Sequence, residues 1–357
     1  MISQPYPANG TLRDGVWIKR VPSRFTPNQL ADYLSAIGYD PLYDTESISS
    51  GAFPINPETL ERLVRLHLLT FPFENTSMHY TAEHDMEVTP ELLLPRFVQD
   101  KNGSYCFGHN GVMLEVLRGL GFRAYAVGAR VNQAPTGSPY AFGAYTHLIL
   151  LVQPSSDDNQ TYVIDVGIGS ACLMRPLLLS TDPNNIVYGL TETERHRLAF
   201  EPNPNSSLSS SPDMSVNAGG QWNIEVGHRK SLDAPEIWGR QFAFTESECW
   251  HPDIAFSSFV VSKRPGPYMF WNHVTCVKVF TVDEGPENER LEKSKRPMYR
   301  IILHGKEVKK SYGVESELLR IFGTELDRIQ ALREIFGIKL RDEDEVYIKG
   351  RAAALSP

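Results

Sequence analysis

The sequence predicts an α+β fold with a helical N-terminal part, a strand-rich middle and a mixed C-terminal part. Three observations carry this. Up to Gly121 the apolar residues recur at helical spacing. From Phe122 they gather in β-branched and aromatic runs separated by Pro, Gly and Ser loops. Near Glu325 a helical pattern returns.

The elements follow in order. Residues 1–25 read as a Pro/Gly-punctuated arm. Thr26-Pro27-Asn28-Gln29 is a helix start, with a Thr cap, Pro at the first helical position and Gln at the third. Leu30, Tyr33, Leu34 and Ile37 form its apolar face and Gly38 stops it. Asn56-Pro57 opens a second helix with Leu60, Leu63, Val64 and Leu68 on one side. Thr89-Pro90 opens a third with Leu92, Leu93 and Phe97, disturbed by Pro95. After the turn chemistry of Asp100 to Ser104, a fourth helix is spelled by Val112, Met113, Val116, Leu117 and Leu120 and closed by Gly121. Strands are expected at 122–131, 144–152 and 162–166. Their continuous apolar character argues for burial on both faces, as in a barrel or sandwich. Residues 181–220, with Asn203-Pro204-Asn205-Ser206-Ser207 and Gly219-Gly220, read as a long polar surface insertion. Further strands are expected at 221–226, 256–262, 273–280 and 298–303, a solvated loop at 283–296, and helices at 314–320 and 325–336.

The chemistry centres on Cys106. It stands at the first turn of the fourth helix, where unpaired N–H groups and the positive dipole end favour a thiolate. Downstream, His147 is embedded in one apolar run and Asp165 in another, and a polar residue so buried needs a partner. Cysteine, histidine and aspartate in that order match the logic of nucleophile, base and orienter. A papain-type protease would have its histidine much further downstream of the cysteine.

Composition narrows the class. With 41% hydrophobic and 22% charged residues in a chain of 357, an ordinary globular protein with a large core is expected. A net charge of −8 argues against a general nucleic-acid binder. The four cysteines (Cys106, Cys172, Cys249, Cys276) show no metal-ligand spacing, so no metal is expected. The absence of an apolar signal core in the first residues and of a long apolar run leads to the expectation of a cytoplasmic protein without a membrane span.

The stretch 71–180 resembles the arylamine N-acetyltransferase family. The family's R-G-G-x-C-x-(E or Q)-x-N signature is matched by Gly103, Cys106 and Asn110. Its T/S-H strand is matched by Thr146-His147, its V/I-D-x-G-F-G turn by Ile164 to Gly169, and its P-F-E-N motif by Pro72 to Asn75. The sequence departs from the signature at Asn102, Ser104 and Gly108, and Lys101 is a candidate to replace the lost arginine charge. The resemblance implies a helical bundle over 1–121 carrying the nucleophile, a β-barrel over 122–230 with the polar insertion, and an α/β lid with a C-terminal helix over 231–357. It implies catalysis by Cys106, His147 and Asp165 at the junction of these parts. The acyl group would come from acetyl-CoA or another short acyl-CoA as co-substrate, and some fungal relatives prefer malonyl-CoA. The acceptor would be an arylamine or hydrazine, reached by a ping-pong route, and the protein would be a monomer. Phe73 would be a pocket wall, Gly143 and Ala144 neighbours of CoA, Gly169 and its turn a backbone nest for CoA phosphates, and Ile168, Ser170 and Cys172 acceptor-pocket residues sharing one face. Two alternatives use the same residues: a transglutaminase-like acyltransferase or amidase that needs no CoA, and a non-catalytic binding protein with a dead triad.

Overall fold

The computed structural model describes residues 10–134, 139–203, 205–209, 219–230, 233–266, 268–283, 288 and 290–355. The N-terminal helices begin where their caps dictate. Helix α1 (Pro27–Ala36) opens on a reciprocal pair: the Thr26 hydroxyl accepts from the Gln29 N–H and the Gln29 side chain accepts from the Thr26 N–H. A short α2 (Thr45–Ser49) follows. Asn56 caps α3 (Pro57–Thr70), and α4 (Pro90–Val98) keeps Pro95 inside it. Helix α5 (Cys106–Leu120) stops at Gly121, whose φ of 101° is a left-handed conformation that suits glycine. The faces of these helices merge into one core that includes Leu30, Tyr33, Leu63, Phe97, Val112 and Leu117.

The middle of the chain forms an eight-stranded antiparallel sheet built from β2 (Arg123–Asn132), β3 (Phe142–Gln153), β4 (Tyr162–Ile164), β5 (Leu177–Leu178), β6 (Ile186–Tyr188), β7 (Glu194–Pro202), β8 (Gly220–His228) and β9 (Ile237–Glu248). Their order is β5-β4-β3-β2-β9-β8-β7-β6, and the sheet curls until β5 approaches β7, nearly closing a barrel. The expected burial on both faces is present and alternates. Ala124, Ala126, Leu148, Leu150 and Val152 join the helical core. Val127, Ala129, Ile149, Leu151 and Val163 point the other way, onto Trp222, Phe242 and Phe244 inside the barrel.

A second sheet pairs β1 (Phe73–Glu74) from the helical region with β10 (Thr275–Thr281), β11 (Met298–His304), β12 (Glu307–Tyr312) and β13 (Glu315–Ile321). Helix α8 (Glu325–Glu334) covers it with a separate core around Leu303, Ile329 and Phe336. The buried ion pair of Glu194 on β7 and Arg300 on β11, at 2.7 Å, ties the two sheets together.

Four expectations are corrected. The stretch 181–220 is not one surface insertion: β6 and β7 lie within it, and His196 and Leu198 are buried. Residues 210–218 fall outside the described residues. A boundary at 230 divides the β8–β9 hairpin, so the barrel extends through β9 to Glu248. Residues 256–262 are helix α6 (His251–Lys263), not a strand. Asp253 accepts from the Trp250 N–H at the helix start, and the buried face is Ile254, Ser258 and Ser262 while Phe256 and Phe259 are exposed. Residues 314–320 are not a helix but most of β13. The Gly313-Val314 turn, with Gly313 at φ 60°, brings β13 back along β12 as a mostly exposed edge strand.

Candidate active site

Helix α5 presents Cys106 at its first turn, on top of the strands that carry the histidine and the aspartate. No side chain caps this helix start. The buried Cys106 thiol points at the Thr146 carbonyl oxygen, 3.8 Å away. Thr146 is the extra residue of a β-bulge: Ala129 opposes His147 and Arg130 opposes Tyr145. Such a bulge re-aims side chains. Here it leaves Tyr145 exposed and turns His147 inward, beside the Phe242 ring.

His147 Nε2 lies 2.7 Å from Asp165 Oδ2, with both side chains buried. With Nε2 committed to the carboxylate, Nδ1 is the ring nitrogen left for the sulfur. Burial works against the imidazolium. The charge and hydrogen bond of Asp165, together with Cys106, outweigh it and hold the His147 pKa above the usual histidine value.

Asp165 has partners besides His147. Its other oxygen accepts from Asn110 Nδ2 at 3.0 Å and from the Gly167 N–H at 2.8 Å. Asn110, one turn along α5 from Cys106, also donates to the Leu148 carbonyl and accepts from the Val166 N–H. One amide thus pins the nucleophile's helix to both strands. A Cβ on Gly167 would come within 2.7 Å of the Cys106 Cα, so glycine is what lets the turn close over the helix start.

The departures at Asn102, Ser104 and Gly108 have local explanations. A side chain at 108 would collide with Ser104, at 2.2 Å from its hydroxyl oxygen, so a serine at 104 and a glycine at 108 go together. Asn102 Oδ1 accepts from the Lys339 N–H at 2.8 Å and ties the loop to the C-terminal segment. Lys101 does not replace the missing cation: its ammonium donates to the Ala36 carbonyl at 2.9 Å. The cation at the loop is Arg96 of α4, which donates to the Gly103 carbonyl at 2.8 Å and pairs with Glu74, a fully buried carboxylate. An arginine six residues before Asn102 on another helix carried no sequence signal.

The pocket residues divide. Phe73 is buried, 6.0 Å from the Phe270 ring and against Gly169, whose φ is 77°. Gly143 and Ala144 lie at the outer end of β3, with the Gly143 carbonyl accepting from Arg130 at 2.9 Å. Ile168, Ser170 and Cys172 do not share one face. The chain turns at Gly169, Ser170 is exposed, and Cys172 is buried with its thiol toward the backbone of Ile168 and Gly169, where burial pushes its pKa up. Phe270 on α7 (Met269–Asn272), which touches both Phe73 and Tyr105, was not singled out by the sequence. No group of three or more metal-ligating side chains occurs among the described residues, and no helix there is long and apolar enough to cross a membrane.

This fold and site define the class. A model of the N-acetyltransferase family matches residues 56–281, and the chain belongs to that family, whose members are acyl-CoA-dependent N-acyltransferases. Among individual relatives, the chain is 26% identical to the N-malonyltransferase FDB2 of Fusarium pseudograminearum over 94% of this chain and 95% of that protein. It is 35% identical to the arylamine N-acetyltransferase of Escherichia coli over 37% of this chain and 44% of that one. In fold it is similar to the Mycobacterium marinum arylamine N-acetyltransferase in complex with CoA, with a TM-score of 0.65 and 22% identity over 91% of this chain and 100% of that one.

Proposed function

We propose that the chain moves a short acyl group from CoA to an arylamine or hydrazine through an acyl-Cys106 intermediate, with ping-pong kinetics. The observation that carries this reading is the Cys106 thiol at an uncapped helix start, set beside a histidine that a buried carboxylate holds at 2.7 Å. In the first half-reaction the sulfur of Cys106 attacks the thioester carbonyl carbon. The C–S bond to CoA breaks, and the CoA sulfur leaves with the proton held by His147. In the second, the amine nitrogen attacks the acyl-cysteine carbonyl, His147 takes the amine proton, and the Cys106 sulfur departs. Asp165 fixes the imidazole tautomer throughout. Phe73 and Ile168, beside the Gly169 turn, line the acceptor side, and Gly143 and Ala144 the CoA side. Cys172, buried under that turn, supports it rather than touching substrate.

The donor is acetyl-CoA or malonyl-CoA. Malonyl-CoA is included because the relative that spans 94% of this chain carries that activity in its name. The enzyme works in the cytosol, where the four free cysteines stay reduced. The test is rapid mixing with acetyl-, propionyl- and malonyl-CoA in the absence of amine, read by intact mass and released CoA. The expected result is a stoichiometric burst with the acyl group on Cys106. Release of CoA only when amine is present would overturn the acyl-enzyme route.

A further inference from the structure

A line of buried polar groups crosses the helical region behind the site and plays no part in the chemistry proposed above. The Tyr33 hydroxyl on α1 lies 2.8 Å from His67 Nδ1 on α3, His67 Nε2 lies 2.7 Å from His109 Nδ1 on α5, and His109 Nε2 lies 3.0 Å from the Pro72 carbonyl oxygen. All three side chains are buried.

The partners fix the direction of every hydrogen bond. A carbonyl oxygen only accepts, so His109 Nε2 carries a hydrogen; a lone pair facing Pro72 at 3.0 Å would repel it. Neutral His109 then accepts at Nδ1, so His67 donates from Nε2 and accepts at Nδ1 from the Tyr33 O–H. The opposite direction would use the Ser104 N–H as donor to His109 Nε2, but that contact is longer, at 3.4 Å. It would also leave the Tyr33 hydrogen without an acceptor among the described residues, and an unmade buried hydrogen bond costs the full desolvation of its group. Both rings are neutral in the fold. Burial, then the neighbouring His109, lowers the His67 pKa, and burial lowers that of His109 to about 4.

The line ends on a carbonyl packed against the Gly103 backbone. The Pro72 oxygen lies 1.6 Å from where a Cβ on Gly103 would be, and the Phe73–Glu74 strand is bonded to Ser104 on one side and paired with β10 on the other. Phe73, next in the chain, stacks on the His109 ring with centroids 6.3 Å apart and meets Gly169 beyond. We infer that Tyr33, His67 and His109 form a one-way hydrogen-bond line that fixes the Pro72 carbonyl and so positions Phe73 as a wall of the acceptor pocket. His109 is a positioning residue, and the inference rests on the reading of Phe73 given above.

The experiment combines ring-nitrogen NMR with half-reaction kinetics on the full chain. Two-bond 1H–15N spectra at pH 7, assigned with His67→Gln and His109→Gln, should show both rings as the Nε2–H tautomer. An Nδ1–H tautomer or an imidazolium at either ring overturns the line. In kinetics, His109→Leu should raise the amine KM about tenfold while the acylation burst keeps its rate to within about twofold. His109→Gln, which keeps an N–H near the Nε2 position, should recover most of that loss. Equal loss in both variants, or an unchanged amine KM in His109→Leu, overturns the positioning role. Should His109→Leu not fold, Tyr33→Phe, at the far end of the line, replaces it and should raise the amine KM severalfold; an unchanged KM there overturns the role too. Phe73→Ala separates the two readings. If it leaves the amine KM unchanged while the tautomers are as expected, the acceptor-wall reading fails and the positioning claim falls with it. Changed tautomers with a raised Phe73→Ala KM sink the line alone.

Discussion

His147 and His109 are both buried, lie on elements that meet at Cys106, and differ in their hydrogen-bond partners. His147 has a carboxylate at 2.7 Å and its pKa is raised. His109 has a carbonyl and another histidine, and its pKa is lowered to about 4 by burial. Burial alone discharges a histidine; a buried carboxylate reverses that and makes the ring a proton carrier at neutral pH. The same core therefore holds one histidine equipped for proton transfer and two that can only transmit hydrogen-bond direction.

Removing the sulfur from the charged side gives the largest expected effect. Cys106→Ala should abolish acyl transfer and leave the thermal unfolding midpoint near that of the parent, because the helix start keeps its backbone contacts. Retained turnover in steady-state assays would mean that the nucleophile lies elsewhere. Asp165→Asn should make His147 resemble His109. With the tautomer no longer fixed by a carboxylate, kcat should fall by about 10^3- to 10^4-fold. If kcat/KM is unchanged, the contrast between the two histidines has no bearing on catalysis.

A second buried carboxylate sharpens the comparison through stability. Glu74 is paired with Arg96, a fixed cation, where Asp165 has a histidine. Arg96→Ala should cost about 3–5 kcal/mol in denaturant unfolding, since it strands a fully buried charge. A loss below about 1 kcal/mol would show that water reaches Glu74.

The smallest effect is in the pH dependence of stability, where the two histidines act in opposite senses. His109 has a folded pKa below its unfolded value of about 6.5, so the unfolded chain binds the extra proton first. Stability should fall as pH drops from about 6.5 toward 4, and His109→Gln should flatten that slope. His147 has a raised folded pKa, so its contribution is complete below about 6.5 and is lost progressively as pH rises from there through the folded value of about 10. Thermal unfolding between pH 4 and 9 reads both arms. An acid slope unchanged in His109→Gln would assign it to other groups.

Much of the site was legible because it is written in local signals. Caps at Thr26 and Asn56, the stop at Gly121, and a cysteine, a histidine and an aspartate each beside an apolar run are properties of short stretches. The position of Ile168, Ser170 and Cys172 was misjudged because alternation holds only for extended chain, and Gly169 turns it. Helix α6 was misjudged because two of its three buried residues are serines, Ser258 bonded to Tyr105 across the interface, while its phenylalanines Phe256 and Phe259 are exposed.

The sequence by itself determined where α1, α3 and α4 begin and where α1 and α5 end, that the first strands after Phe122 are buried on both faces, and which three side chains carry the proposed chemistry. These follow from backbone capping and from the periods of helix and strand, which need no distant partner. The tertiary structure decided the rest: that Arg96 and not Lys101 serves the Cys106 loop, that β6 and β7 belong to the barrel, that 314–320 lie along β12 instead of coiling, and that Asp165 raises the pKa of His147 while burial lowers those of His67 and His109. Each is settled by a neighbour outside the segment itself, because Coulomb attraction, desolvation and strand pairing depend on distance in space and not on distance in sequence.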